Sequence, residues 1–398
     1  MEQPGRYHNL DQEQTNKLKA FYKQYYDYLD TLPKERVEAV VKEEEVEKAS
    51  KVGFASLRNR LPKMMQKTNS EGAVKDTKDQ LLQNEFRAVV MGQTQFDHPD
   101  SVMLRYIRAR KWVIKDSFEM FTNAIQWFHT VEILKIKKEG EKNINMELFK
   151  KSQFYMQGND KAGRPICHVI AKLHDPKALT MDELQNFILT VMESARLVLV
   201  EPSDTVTIVF DLSDMSMNNM DYNSVKFLIS CLEKYYPECL GCVIALNAPW
   251  FFNGIWKVLS PLIDPVVAAK IKFLSTKELT EFIDPSQLRE TQGGTGELDY
   301  EYIGPVEGED RIIEDQTGYN VANKAFVAAW DKFDLINKKW ANSENDEFDQ
   351  ERKDTISEMR DAYKKVDPYV RAPTVYHRLG VYKGYNQVDW NAVKKDRN

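Results

Sequence analysis

The stretch Thr205-Val-Thr-Ile-Val-Phe-Asp-Leu212 decides the fold class. β-Branched and aromatic residues run together here over a length that suits one strand. The chain around it alternates in type. Upstream, Gly163-Arg-Pro165 is a turn and Ile166 to Leu173 is a second apolar run. Between the two lies a helix over 181–199. Thr180 and Glu183 form a capping-box pattern at its start. Leu184, Phe187, Ile188, Val191, Met192, Ala195 and Val198 mark its buried face. Downstream, the pattern predicts helix 222–236, strand 242–247, helix 250–262, strand 271–275 and a short helix near 276–283. Short apolar strands alternating with helices predict an α/β unit with a largely parallel sheet.

Working outward, residues 81–150 read as a helical zone. It includes Leu104-Arg-Tyr-Ile-Arg-Ala-Arg-Lys-Trp112 and the amphipathic stretch Phe118 to Phe128. Residues 10–30 place Leu18, Phe21, Tyr22, Tyr25, Tyr26 and Leu29 at helical spacing. Residues 34–48 are rich in Glu and Lys and read as a solvated helix or connector. Residues 50–80 are the most loosely ordered by composition. From 299 to 315, seven acidic residues face Arg311 alone, as expected of a surface connection. Helices are predicted over 320–340 and 350–366, and the tail from Pro368 onward as an extended strap. The expected organisation is a helical and partly disordered extension at 1–80, a helical lobe at 81–150, an α/β lobe at 151–300 and a helical extension at 301–398.

Composition limits the function. The chain has 398 residues, 42% of them hydrophobic, and a net charge of −6. Bulk attraction to nucleic acid is not expected of an acidic chain. No run approaches the ~18 apolar residues of a membrane span. Neither a signal peptide nor a lipidation signal is recognised. Four cysteines suit free thiols in a reducing compartment. The expectation is a cytoplasmic protein that visits membranes transiently.

Helix 250–262 stands apart. Trp250, Phe251, Phe252, Ile255, Trp256, Val258 and Leu259 cover most of its circumference. It is either a central core helix or a lid between an apolar cavity and a membrane, where tryptophan and phenylalanine are at home. Asn253-Gly254 and Pro261 are candidate hinges.

Several of these segments resemble one family. Leu104-Arg-Tyr-Ile-Arg-Ala-Arg-Lys111 is similar to the "LRFLRARK" signature of the Sec14-like (CRAL-TRIO) proteins. Gly163-Arg-Pro165 resembles the "DGRP" turn, and Tyr235-Tyr-Pro-Glu-Cys-Leu-Gly241 resembles "YYPERLG". Asn247-Ala-Pro249, Ile263-Asp-Pro-Val266 and Lys270-Ile271 resemble "NAP…LDP…KI", and Gly293-Gly294 the closing "GG". The motifs fall in order across about residues 80–300, and the outer segments are similar to those of fungal Sec14 homologues. The resemblance implies a helical N-terminal lobe and a Sec14-type α/β lobe whose mixed, largely parallel sheet encloses a lipid cavity, with a helical C-terminal extension. It makes helix 250–262 the gate.

It also implies a cargo, phosphatidylinositol. Two acyl chains of about 18 carbons carry roughly 30 methylenes at about 0.8 kcal/mol each, on the order of 25 kcal/mol, so a carrier must bury both. The phosphodiester wants a cation, and the inositol hydroxyls want donors and acceptors. By resemblance Arg110, Lys111, Glu238 and Lys270 serve the head group. Arg110 and Lys111 do so either directly or by locking the lobes together. From the residues alone, Arg105, Arg108, Arg110 and Lys111 read as a solvated basic face, Glu238 as a surface or helix-end carboxylate and Lys270 as an exposed lysine. Val267 stands where the family has a threonine, so one hydroxyl contact is missing. Val206 and Ile208, joined by Phe210 in the cavity, replace the hydroxyl residues that hold phosphatidylcholine, and Cys167 and Ser194 replace tyrosines. Poor phosphatidylcholine exchange is therefore expected. The alternative is a binder or sensor of another apolar ligand (a sterol, a squalene-like hydrocarbon, haem) acting as a lipid-regulated scaffold. The expected partners are the lipid, a membrane surface (endoplasmic reticulum, endosome or lipid droplet) and phosphoinositide kinases. The expected membrane association is peripheral.

No enzyme is expected. The chain has neither a G-x-S-x-G elbow nor a P-loop. Gly293-Gly-Thr-Gly296 does not lead from a strand into a helix. Cys239-x-x-Cys242 lacks two further zinc ligands at a known spacing and reads as buried thiols. Asp211 and Asp214 read as a strand-end pair that caps the next segment. No metal or cofactor is expected.

Overall fold

The computed structural model describes residues 4–34, 81–345 and 347–394. The expectations for 34–48, past its first residue, and for 50–80 lie outside the described residues.

The sheet has five strands in the order β1-β2-β3-β4-β5. They are β1 (Phe154–Asn159), β2 (Pro165–Ile170), β3 (Val206–Asp211), β4 (Leu240–Leu246) and β5 (Ile271–Leu274). β1 runs antiparallel to β2, and the remaining pairs are parallel. The sequence reading missed β1. Tyr155, Met156 and the polar Gln157 are all buried there, so no two-residue alternation marks the strand. Gln157 is satisfied by Leu298 O and Tyr300 N, which no local pattern announces.

Ahead of the sheet, α2 (Gln83–Thr94), α3 (Pro99–Ala109), α4 (Ile114–Thr130) and α5 (Ile133–Glu139) form the helical lobe, with a short helix at Met146–Lys150 leading into β1. Before them, α1 (Gln12–Thr31) is capped by Asp11 and Gln14 in a capping box. The crossovers are α6 (Met181–Ala195), α7 (Tyr222–Ser230) and α8 (Phe252–Leu259). The capping box expected at α6 forms: Glu183 N donates to Thr180 Oγ1 at 3.3 Å and Thr180 N to Glu183 Oε2 at 2.8 Å. Beyond β5 come α9 (Thr276–Phe282), α10 (Gln316–Asn342) and α11 (Asp349–Val370).

Sequential strand order and right-handed crossovers together put α6, α7 and α8 on one face of the sheet. The period of two then sorts the strand residues. Thr207 and Val209 of β3, Cys242, Ile244 and Leu246 of β4 and Ile166 of β2 point away from those helices. All but Thr207 pack with Leu279, Ile283 and Leu288 from α9 and the chain after it. Val206, Ile208 and Phe210 point toward them, with Val243 and Ala245 of β4.

Some of the expected elements change. Residues 222–236 are not one α-helix: α7 gives way to a π-turn over Cys231–Tyr235, in which Tyr236 N donates to Cys231 O at 2.8 Å. The predicted strap from Pro368 begins inside α11, which contains Pro368 and ends at Val370. The buried side chains of Tyr363 and Val366 keep its last turns docked. After it the tail forms a helical turn at Val375–Arg378 and a hairpin of β6 (Tyr382–Gly384) and β7 (Gln387–Val388).

The outer helices are not loose additions. α1, α10 and α11 share one apolar core with α2, α3 and α4, through Phe21, Tyr25, Phe121, Trp330, Phe333 and Met359.

One buried histidine, His168, and two half-buried ones, His98 and His377, make the fold acid-sensitive. Burial pushes His98 down to about 4, His168 to about 3 and His377 to about 4, from an ordinary value of 6.5. Each is neutral when folded and gains a proton on unfolding below pH 6.5. The stability they provide is complete above that value and is lost as pH falls from 6.5 toward 4. The melting temperature should drop by at least ~5 °C across this window. A flat profile between pH 7 and 4.5 would show that these side chains are open to water.

Candidate lipid cavity

Between the sheet face and helices α6–α8 the interior is not filled. A cavity of about 340 Å³ lies there, within the ~300–1,000 Å³ range of small-molecule sites. Its floor is Cys167 and Val169 of β2, Val206, Ile208 and Phe210 of β3, Val243 and Ala245 of β4, and Ile271 and Phe273 of β5. Its walls are the apolar stripes of α6 and α7. Val90, Phe121, Ile125 and Phe128 of the helical lobe close one end.

The Tyr235–Gly241 motif joins the two lobes. Tyr235 stacks on Trp127 of α4 at 3.7 Å between centroids, with the rings 2° from parallel. Tyr236 donates its hydroxyl to the buried carboxylate of Glu193 at 2.9 Å. Both tyrosines line the cavity. The π-turn sets them side by side, and such turns recur at functional sites.

The apolar segment after β4 behaves differently from the expected 250–262 helix. Only Phe252–Leu259 is α-helical, followed by a 3-10 turn over Ser260–Leu262. Trp250 and Phe251 precede it in a turn in which Phe252 N bonds Pro249 O at 2.8 Å. Proline and the turn that leaves the strand take up those positions, and Pro261 ends the regular helix. Phe252, Trp256 and Leu259 line the cavity. Ile255 is buried but does not line it, Phe251 packs near Leu212, Met215 and Ala245, and Trp250 is 87% exposed. Val258, Leu262 and Val266 are exposed on the same segment. Asp264 N donates to Glu233 Oε1 at 2.7 Å, tying the end of the segment to the π-turn.

The expected head-group residues lie outside the cavity wall, and the structure does not bring all four together. Glu238 lies two residues ahead of β4, and Lys270 lies just ahead of β5, with its side chain reaching the start of β4. Lys270 Nζ donates to Leu240 O at 2.8 Å, and Glu238 adopts a left-handed φ of 58° next to Pro237 and Cys239, which line the cavity. Val267, the position without the hydroxyl, lines the cavity. Arg110 and Lys111 are exposed at the end of α3 and form no ion pair among the described residues. Arg105 and Arg108 turn inward instead. Arg108 lies 3.5 Å from Asp204 and 3.9 Å from Glu238, and Arg105 Nη1 donates to Cys239 Sγ at 2.5 Å. The solvated-face reading therefore fails for these two. Arg105 shares a stripe with Val102, Tyr106 and Ala109 at i, i+3 and i+4, and that spacing was the available signal.

The second wall missed by sequence is polar. Arg196 donates to Gln93 Oε1 at 2.9 Å and to Asp97 Oδ2 at 3.0 Å. Asp97, Arg105 and Arg196 line both the apolar cavity and a small polar pocket behind it. Cys239 and Cys242 are free thiols, like Cys167 and Cys231. No group of three metal-ligating side chains occurs among the described residues, and no described helix is long and apolar enough to cross a membrane.

An apolar chamber floored by a sheet and covered by three crossover helices defines a protein built to enclose an apolar ligand. The family comparison agrees. The CRAL/TRIO domain model matches residues 149–294, and the CRAL/TRIO N-terminal domain model matches 53–123. The chain is 36% identical over 304 residues to the phosphatidylinositol transfer protein CSR1 of Eremothecium gossypii, covering 72% of this chain and 69% of that one. It is 33% identical to the CRAL-TRIO domain-containing protein C3H8.02 of Schizosaccharomyces pombe, covering 72% and 66%. Another fission-yeast CRAL-TRIO domain-containing protein, C365.01, is 29% identical, covering 75% and 87%. The chain belongs to the Sec14-like CRAL/TRIO family of lipid-binding and lipid-transfer proteins, in the company of fungal homologues. It spans about two thirds of the length of the first two relatives.

Proposed function

We propose that this protein is a non-enzymatic carrier that takes up phosphatidylinositol, moves it between membranes or presents it to lipid kinases, and opens at the segment 250–266. The observation that carries this is the cavity: its lining is nearly all hydrocarbon from β3, β4, α6, α7 and α8. Acyl chains transferred there leave water for a lining that is hydrocarbon over most of its area, with Asp97, Arg105 and Arg196 among its polar side chains.

The gate follows from exposure. α8 buries Ile255 and Leu259 while Trp250, Val258, Leu262 and Val266 face outward, so one short segment roofs the chamber and offers apolar side chains to a bilayer. The Glu233–Asp264 hydrogen bond is its latch. Glu238, ahead of β4, and Lys270, ahead of β5 with its amine at the start of β4, take the head group. Lys270 now bonds a backbone carbonyl, a contact it can exchange for a phosphate, where a charge-assisted bond is stronger. Arg110 and Lys111, exposed and uncommitted by ion pairs among the described residues, can reach a head group only from outside the cavity. Val206 and Ile208 give no hydroxyl to a phosphocholine, so phosphatidylcholine exchanges poorly.

Transfer of labelled phosphatidylinositol between vesicles tests this. Lys270→Ala should lower the rate about tenfold or more, the value of one charge-assisted contact, with an unchanged melting temperature. Full transfer by a folded Lys270→Ala protein would move the head group elsewhere. Transfer of phosphatidylcholine as fast as phosphatidylinositol would overturn the selectivity.

A further inference from the structure

We infer that Arg105 is an anchor inside the cavity for the anionic oxygen of an amphiphile, a carboxylate or phosphate head whose tail fills the apolar chamber. This rests on reading the cavity as a lipid site, but not on phosphatidylinositol being the lipid.

Arg105 sits on α3 between Val102 and Tyr106, which line the same cavity. A guanidinium carries five N–H donors and stays charged. Half-buried where the apolar chamber meets the polar pocket, it is short of acceptors, and a partly desolvated charge with weak partners is costly. Among the described residues its one hydrogen bond goes to the thiol of Cys239, a weak acceptor. The nearby carboxylates are committed to other arginines. Asp97 accepts from Arg196 Nη2 at 3.0 Å, and Asp204 accepts from Arg6 Nη1 at 2.6 Å with Arg108 Nη2 at 3.5 Å. Neither forms an ion pair with Arg105 among the described residues.

The position is a boundary. Arg105, Asp97, Arg196 and Leu199 line both the apolar cavity and the polar pocket formed with Arg6, Glu201, Ser203 and Tyr385. A tail in the first space and an oxygen head at the wall would exchange the thiol for a bidentate acceptor. A ligand without a head, a plain hydrocarbon, would leave Arg105 as it is.

The test uses the full chain with an uncharged apolar fluorophore, diphenylhexatriene, in the cavity. Oleate, oleyl alcohol and phosphatidylinositol displace it in turn. For wild type, oleate should act at about tenfold lower concentration or less than oleyl alcohol, the difference of one charged hydrogen bond. In Arg105→Gln that preference should collapse, with the oleyl alcohol curve unchanged. No preference in wild type, or an unchanged preference in folded Arg105→Gln, overturns the inference. If Arg105→Gln does not fold, Cys239→Ala decides: freeing the guanidinium should enlarge the preference, and an equal or smaller one overturns it. Phosphatidylinositol separates the sources. If its displacement weakens with oleate's in Arg105→Gln, phosphate and carboxylate share the anchor. If it displaces nothing while oleate still discriminates, the proposed cargo is wrong and the anchor stands.

Discussion

Replacing Ile208 with tryptophan should empty the cavity of lipid without unfolding the protein. Ile208 lies in the middle of β3, is 6% exposed and faces the chamber. A larger side chain there grows into open space, so it meets none of the strain that overpacking brings to a filled core. Bound lipid should fall about tenfold or more, a loss of at least ~1.4 kcal/mol, while the melting temperature holds or rises. Its neighbour Val209 is the control. It is fully buried on the opposite face, packed with Ile166, Ile244 and Leu279, and Val209→Trp should destabilise by about 1–3 kcal/mol or more. Lipid retained by Ile208→Trp would place the ligand elsewhere. Equal destabilisation by the two would show a packed core where a chamber is described.

Asp100→Ala should have the largest effect on stability. Asp100 accepts from Tyr22 of α1 at 2.7 Å and from Arg352 Nη1 of α11 at 2.9 Å, with a second bond to Arg352 Nη2. Arg352 also donates to Asn337 of α10 at 2.5 Å and lies over the Trp340 ring at 4.1 Å. Burial alone would raise the Asp100 pKa, but the Arg352 guanidinium, helped by the Tyr22 hydroxyl, outweighs it and holds the carboxyl below its ordinary value. One carboxylate thus ties α1, α3 and the C-terminal helices together. Removing it strands a buried guanidinium, at about 3–5 kcal/mol. The pair itself is a weaker source of stability than that number suggests. Asp100→Leu with Arg352→Met should recover most of the loss, since an apolar pair of similar volume is often neutral. If denaturant unfolding of Asp100→Ala shows a loss under ~1 kcal/mol, the outer helices are held by their apolar contacts alone.

These two positions also show how much could be read beforehand. Ile208 was singled out through the family resemblance, and the period of two on β3 gives it a face with Val206 and Phe210. Its place in the cavity was expected with Val206 and Phe210, and all three line it. The capping box of α6 was legible because it is local. Asp100 and Arg352 were not, since 252 residues separate them and neither has a meaning without the other. Arg105 was hidden for a related reason. A charged residue defaults to solvent, and only the approach of Cys239, 134 residues away, turns it inward. The gate segment was visible as an excess of aromatic residues. Its division into an exposed Trp250, a packed Phe251 and a lining Phe252 depends on the turn at Pro249, which periodicity cannot resolve. β1 gave no alternation because both of its faces are covered.

The central claim is that the chamber holds a phosphoinositide. The most direct measurement is mass spectrometry of lipids extracted from the purified full-length protein, quantified against protein. The account predicts phosphatidylinositol as the main species, approaching one per chain, with little phosphatidylcholine. A sterol, a hydrocarbon or a porphyrin at that stoichiometry, with no phosphoinositide, would contradict it.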